Sequence, residues 1–441
     1  MKRQEIIDRI EGTYEGVRDR IESGIEEHRK GDQILRFVDE SGAPVEGVRI
    51  SLKQKSHAFR FGANIFMLDE LETPEKNEIY KERFRSLFNM ATLPFYWKDT
   101  EPEDGVFRFE KDAPRIYRRP PVDLCLEFCK KYGIEPREHA LGYISQHFTV
   151  PDWMVGKSDE EAKEILERRF RVIAERYADD IRTIEVTNEA GKFKTNHPFL
   201  WNEEYLPFCY ALAQKYFPQN QIGINEDSNT VWGDKSGKWA RYYMTIEKLL
   251  SMGLRVDAIG MQYHMFYRRE EEQKRTAHFY DLAHLLWVLD TYATLEKPIQ
   301  ITEITIPAYS WDPEDETVQA TVLEKLYRMW FSHPAVEQII YWNLTDGYAH
   351  NAEPGDMTVG ENYYYGGLLR FDMSKKPAFD VLDRLINQEW HTEAEIATDR
   401  TGAASFRGFY GDYEYTAEKD GVRVTGTLTL KKDGTEISVR L

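Results

Sequence analysis

Two glutamates stand where apolar stretches of the chain open into polar ones. One closes the run Val186-Thr187-Asn188-Glu189, and the other follows Ile299-Gln300-Ile301-Thr302 as Glu303. A pair of facing carboxylates is what glycoside hydrolysis requires. One must stay protonated to give its proton to the leaving oxygen, and the other must be ionised to attack the anomeric carbon or to activate water. A single glutamate at such a place would more often serve an ion pair with a neighbouring loop. Two of them, one preceded by Asn188, favour the catalytic reading. Gln262 and His264 close a third run two residues apart, so a strand would put both on one face with Tyr263 on the other. A histidine beside an ionised carboxylate can hold it by hydrogen bond and tune its charge. Trp342 ends a further run and could offer its ring to the apolar face of a sugar.

These groups need a frame. Eight strand-like runs recur at residues 59–65, 89–95, 138–144, 181–189, 221–226, 256–264, 298–304 and 337–346, separated by helical stretches such as residues 158–178. Eight βα units are the count for an α/β fold of the (β/α)8 TIM-barrel class, whose chemistry sits at the C-terminal strand ends. There the fourth and seventh strands would bring Glu189 and Glu303 together across the mouth. A doubly wound open sheet is the alternative, but no glycine-rich phosphate loop follows the first strand.

Residues 1–56 would precede this 57–394 barrel as one amphipathic helix over residues 5–29, capped by Gly31, and a hairpin from residues 33–38 and 48–52. Residues 395–441 read as four short strands separated by turns at Gly411, Gly421 and Gly434. A lone hairpin is marginal in water, so the two ends are expected to pair into a small β-sandwich-like accessory domain.

Composition narrows the partners. The 441 residues carry 76 acidic against 58 basic side chains, a net charge of −18. That balance argues against nucleic acid, which is bound through clustered Lys and Arg. No apolar run approaches the ~20 residues of a membrane helix. Ten Trp and 26 Tyr suit a carbohydrate ligand. The charged N-terminus shows no secretory h-region, which points to the cytoplasm. Cys125, Cys129 and Cys209 read as small buried groups rather than as a disulfide or metal set, and neither a metal nor a cofactor is expected.

The chain also resembles the family 10 glycoside hydrolases, the xylanase family. The resemblance rests on Trp97 with Glu101-Pro102-Glu103-Asp104-Gly105, Ser145-Gln146 with Pro151-Asp152-Trp153, Val186-Thr187-Asn188-Glu189-Ala190, Gly260-Met261-Gln262-Tyr263-His264, Ile301-Thr302-Glu303-Ile304 and Trp342-Asn343-Leu344-Thr345-Asp346, in family order. It implies Glu189 as acid/base, Glu303 as nucleophile, Asn188 on the sugar 2-hydroxyl, Gln262 and His264 around the nucleophile, and Trp153 as a subsite wall. A retaining mechanism on β-1,4-xylosidic linkages follows, with carboxyl groups ~5–5.5 Å apart.

Departures from the family gather on the glycone side. Thr92-Leu93-Pro94-Phe95-Tyr96-Trp97 stands where the family reads Glu-Asn-x-x-Lys-Trp, Tyr143-Ile144 replaces Trp-His, and His350 replaces a Trp. Tyr96, Tyr143 and His350 are therefore expected in a rebuilt subsite. An exo-acting enzyme, or one of different specificity such as a β-xylosidase or plant-glycoside hydrolase, is the alternative. A catalytically silent sugar-binding barrel is the third reading.

Overall fold

In the computed structural model, residues 3–146, 148–192, 197–434 and 436–441 are described. Helices α1 (Gln4–Glu15) and α2 (Arg18–Arg29) lead into strands β1 (Lys30–Val38) and β2 (Arg49–His57). Strands β3 (Arg60–Asn64), β4 (Met90–Pro94), β5 (Glu135–His139), β6 (Thr183–Asn188), β7 (Gln221–Glu226), β8 (Ala258–His264), β9 (Ile299–Thr305) and β10 (Val336–Tyr341) follow. They form a closed parallel barrel in which β10 pairs with β3, which excludes the open sheet. The chain ends in β11 (Glu393–Ala397), β12 (Ala403–Phe409), β13 (Gly411–Lys419), β14 (Val422–Leu430) and β15 (Ile437–Arg440).

Seven of the eight apolar runs coincide with barrel strands. The third does not: β5 is Glu135–His139, just ahead of the apolar residues 140–144. Its side chains Arg137 and His139 bond Glu185 of β6 inside the barrel, His139 Nδ1 lying 2.8 Å from Glu185 Oε1. A strand that packs through ion pairs carries no apolar signature. The helix at Asp159–Tyr177 starts as its sequence suggests. Ser158 Oγ accepts from the Glu161 amide and Glu161 Oε2 accepts from the Ser158 amide, a reciprocal cap worth about 1 kcal/mol.

The expected single N-terminal helix is broken at Gly16–Val17 into α1 and α2, at a residue that weakens helices. Ile6, Ile10, Tyr14, Ile21 and Ile25 still form its buried stripe and join the barrel core. Gly24 permits the close approach, since a Cβ there would lie 2.7 Å from the Ser332 carbonyl oxygen at the end of the helix Pro313–Ser332. Gly31 is not a helix cap. It lies in β1 facing Tyr410, whose ring would be 2.7 Å from a Cβ.

The 33–52 segment pairs with the C-terminal strands, but not as a hairpin. β1 lies between β12 and β15, whereas β2 lies between β11 and β13 in a second sheet that also holds β14. Leu35 and Phe37 of β1 and Ile50 and Leu52 of β2 all enter one apolar core with Tyr413 and Leu430, so the two strands face each other across a sandwich. β11 had no apolar run to mark it, because its residues are alternately exposed and half-buried, and it begins two residues before the expected 395.

All three cysteines are buried and free, and burial pushes the Cys129 thiol up to about 12. Among the described residues, no helix is long and apolar enough to cross a membrane.

His57, at the end of β2, lies edge-on to Phe61 and Phe331 with its Nε2 enclosed and unpartnered. Burial lowers its pKa to about 4. As the pH falls below ~6.5 the unfolded chain takes up this proton first, so stability is full above 6.5 and declines towards pH 4 by up to about 3 kcal/mol. Urea unfolding of wild type between pH 7 and 4.5 should show this slope, and His57→Gln should make it shallower, leaving the part due to His278 and His333, which burial also lowers to about 4.

Candidate active site

The barrel mouth opens into a cleft of about 540 Å³. Glu189 is the first residue past β6, in a left-handed conformation with φ +50°, which a non-glycine residue adopts at a cost of order 1–3 kcal/mol. Glu303 sits inside β9, two residues before that strand ends. Both line the cleft with Asn188, Gln262, His264, Tyr96, Tyr143, Trp342 and His350.

The two carboxylates are held differently. Glu303 accepts from Asn225 Nδ2 at 2.8 Å through one oxygen, and its other oxygen is 3.1 Å from His264 Nε2. His264 Nδ1 is 2.9 Å from Thr305 Oγ1, so a proton on Nε2 and an accepted hydroxyl at Nδ1 satisfy both ring nitrogens. Glu189 accepts from Gln262 Nε2 at 2.8 Å and from the Tyr143 hydroxyl at 3.3 Å, with Lys192 Nζ 3.4 Å away. Burial raises the Glu189 pKa above the usual carboxylate range. Lys192 and the Gln262 hydrogen bond oppose this, and the nearby charges of Glu303 and Asp227 reinforce it. Burial thus favours the protonated form of Glu189, the form a proton donor needs.

Beneath them lies a polar floor. Asn225 also donates to Asn188 Oδ1 at 3.0 Å and is itself fixed by the Thr302 hydroxyl at 2.7 Å. His139 Nδ1 is 3.9 Å from Glu303, and the Tyr96 hydroxyl meets its Nε2 at 3.2 Å. Glu185 and Glu303 hold the His139 pKa above its ordinary value despite burial. His139, Glu185 and Glu303 approach closely enough to be metal ligands, but Arg137 already supplies the positive charge that Glu185 needs.

Trp153 is not among the described lining of the cleft. Its indole donates to the Glu101 carbonyl at 2.9 Å and meets Trp97 edge-on at 6.0 Å, which makes it a prop for the β4 loop. Trp342 packs on Phe66 and edges both His139 and His264. Thr92, Leu93 and Ile144, at the altered family positions, are buried in the core. Asn225, His139 and Lys192 were not anticipated. Asn225 could have been, since it is the penultimate residue of run five as Asn188 is of run four. Arg118, Arg119 and Glu361 also line the cleft, from loops that carry no periodic signal.

The model of glycosyl hydrolase family 10 matches residues 51–383. The chain belongs to that family. Among family 10 relatives and other similar proteins, anti-sigma-I factor RsgI6 of Acetivibrio thermocellus is 26% identical over 408 residues, covering 91% of this chain and 47% of that protein. Endo-1,4-beta-xylanase 2 of Arabidopsis thaliana is 23% identical over 391 residues, covering 87% of this chain and 32% of that one. The chain thus spans about half or less of the length of these curated relatives. Native xylanase 10B from Thermotoga maritima superposes with a TM-score of 0.58 at 23% identity, over 75% of this chain and 96% of that one, a likeness of fold.

Proposed function

We propose that the chain is a retaining glycoside hydrolase that cleaves β-1,4-xylosidic linkages in xylan or xylo-oligosaccharides. One observation carries the reading: Glu303, fixed by Asn225 and His264, shares the cleft with Glu189, whose pKa is raised by burial. Family 10 membership supports the reaction, and the xylanase names of several relatives support the sugar.

In the first step a Glu303 oxygen attacks the anomeric carbon while its bond to the leaving oxygen breaks, and Glu189 gives that oxygen its proton. In the second, the Glu189 carboxylate takes a proton from water, the water oxygen attacks the same carbon, and the bond to Glu303 breaks. Asn188 faces both carboxylates through Gln262 and Asn225, which suits it to a sugar hydroxyl at the cleavage point.

Product analysis tests the substrate. Internal cuts in xylan with accumulating xylo-oligosaccharides are expected, and release of single sugars with inert polymer would contradict the assignment. The pH dependence of kcat/KM should be bell-shaped, with Glu189 setting the alkaline limb. Lys192→Met removes a cation that favours the ionised form of Glu189, so that limb should move to higher pH. A limb that stays in place would show that Glu189 does not set it.

A further inference from the structure

The segment at the end of β4 offers a sugar in the cleft little to bond. Thr92 and Leu93 are buried, and Tyr96 is spent on His139. Two loops bring other groups to the same cleft. Arg118 and Arg119 come from the segment between β4 and the helix Val122–Tyr132, and His350 and Glu361 from the segment after β10. We propose that Arg119 and Glu361 form a substitute subsite that holds a neutral sugar next to the cleavage point on the glycone side. This rests on the reading of the cleft as a glycosidase site.

The loops are locked to each other. Arg118, buried and with φ +61°, donates to the Tyr348 carbonyl and, at 3.1 Å, to Asn343 Oδ1. Asn343 Oδ1 also accepts from Asn64 Nδ2 at 3.3 Å, and Asn343 Nδ2 donates to Glu361 Oε2 at 2.9 Å. Arg119 donates through Nε to Asp99 at 2.8 Å and through Nη1 to the Arg118 carbonyl at 2.9 Å, with its guanidinium 3.9 Å over the Tyr96 ring. Among the described residues this leaves one atom on each side chain without a partner: Nη2 of Arg119, a donor, and Oε1 of Glu361, an acceptor. Both side chains are held in place before any ligand arrives, so little rotamer entropy is left to lose on binding.

The pattern suits hydroxyls. A carboxylate oxygen accepts from a sugar hydroxyl, a guanidinium amine donates to a hydroxyl oxygen, and Phe66, Tyr96 and Trp342 offer an apolar wall to the ring. The charges also favour a neutral sugar over a uronate. Arg119 is bonded to Asp99, and Arg118 Nη2 lies 3.9 Å from Glu361, so two guanidinium groups are matched by two carboxylates. An added carboxylate would find both guanidinium groups already paired with carboxylates.

Glu361→Gln keeps an acceptor for Asn343 but removes the charge. Kinetics on an aryl β-xyloside, which reaches only the cleavage point, and on the aryl β-xylobioside, which adds one glycone-side sugar, isolate the subsite. The variant should lose about 10- to 100-fold in kcat/KM on the xylobioside, the range of a charged hydrogen bond, with little change on the xyloside. Arg119→Met should show the same split. Equal losses on both substrates, or no loss on either, would overturn the proposal.

Wild-type protein that cleaves neither substrate would count against the xylosidic reading. Calorimetry with xylobiose, cellobiose and a glucuronate-bearing disaccharide then decides the subsite alone. Neutral disaccharide bound at least about 10-fold more weakly by Glu361→Gln supports it. Unchanged neutral binding, or tighter binding of the uronate, overturns it.

Discussion

Glu303→Ala protein should hydrolyse aryl β-xylosides at least about 10³-fold more slowly than wild type, with KM little altered, because the lost group acts in the chemical step. Glu185, the nearest acidic group on the barrel floor, is bound to Arg137 and His139 and is fully buried beneath the cleft. The change also takes the acceptor of His264 Nε2 and one of the acceptors of Asn225 Nδ2, which costs about 1–3 kcal/mol of stability. Circular dichroism and a melting curve separate that cost from the kinetic loss. Glu303→Gln fills the same space and should be equally inactive. Activity within tenfold of wild type in either variant would remove Glu303 from the mechanism.

Glu189→Ala should show a different signature. Its proton is needed most where the leaving oxygen is a poor leaving group, so hydrolysis of xylo-oligosaccharides should fall about 10²–10⁴-fold. An aryl xyloside with an acidic phenol needs little help to leave. On it the first step should survive and the second, which needs Glu189 as base, should become slow, giving a burst of phenol followed by a low steady rate. The alkaline limb of the pH profile should vanish with the group that causes it. Equal losses on both substrate classes with no burst would contradict the acid/base role. The backbone at Glu189 already adopts a left-handed φ of +50°, so alanine there carries the same strain, and any stability change reports side-chain contacts.

The barrel was legible because its strands are buried on both faces and read as short apolar runs between helices. The exception explains itself: β5 fills the barrel with Arg137 and His139, so hydropathy pointed to the loop beyond it. Local pattern also showed that β1 and β2 are strands with one buried face each. It could not show that they face one another from separate sheets, because partner choice is decided by residues some 370 positions away, as in the pairing of Leu35 with Ala404.

Glu189 and Glu303 stood out by residue type at strand ends, and the structure brings both to the cleft. Trp153 turns its indole N–H to the Glu101 carbonyl and meets Trp97 edge-on, an orientation that an aromatic near a sugar-site motif does not reveal. Arg119 and Glu361 could not be found by periodicity at all, since loops carry none and their meeting depends on the Arg118 and Asn343 bonds between them.

In the proposed mechanism Glu303 forms a covalent bond to the sugar. A 2-deoxy-2-fluoro β-xylobioside with an activated leaving group slows both steps but leaves the first fast enough to accumulate the intermediate. Mass spectrometry of the protein digested after exposure should find one fluoroxylobiosyl group, on the peptide that carries Glu303. A label on another carboxylate, or no label on protein that hydrolyses the unfluorinated glycoside, would contradict the account.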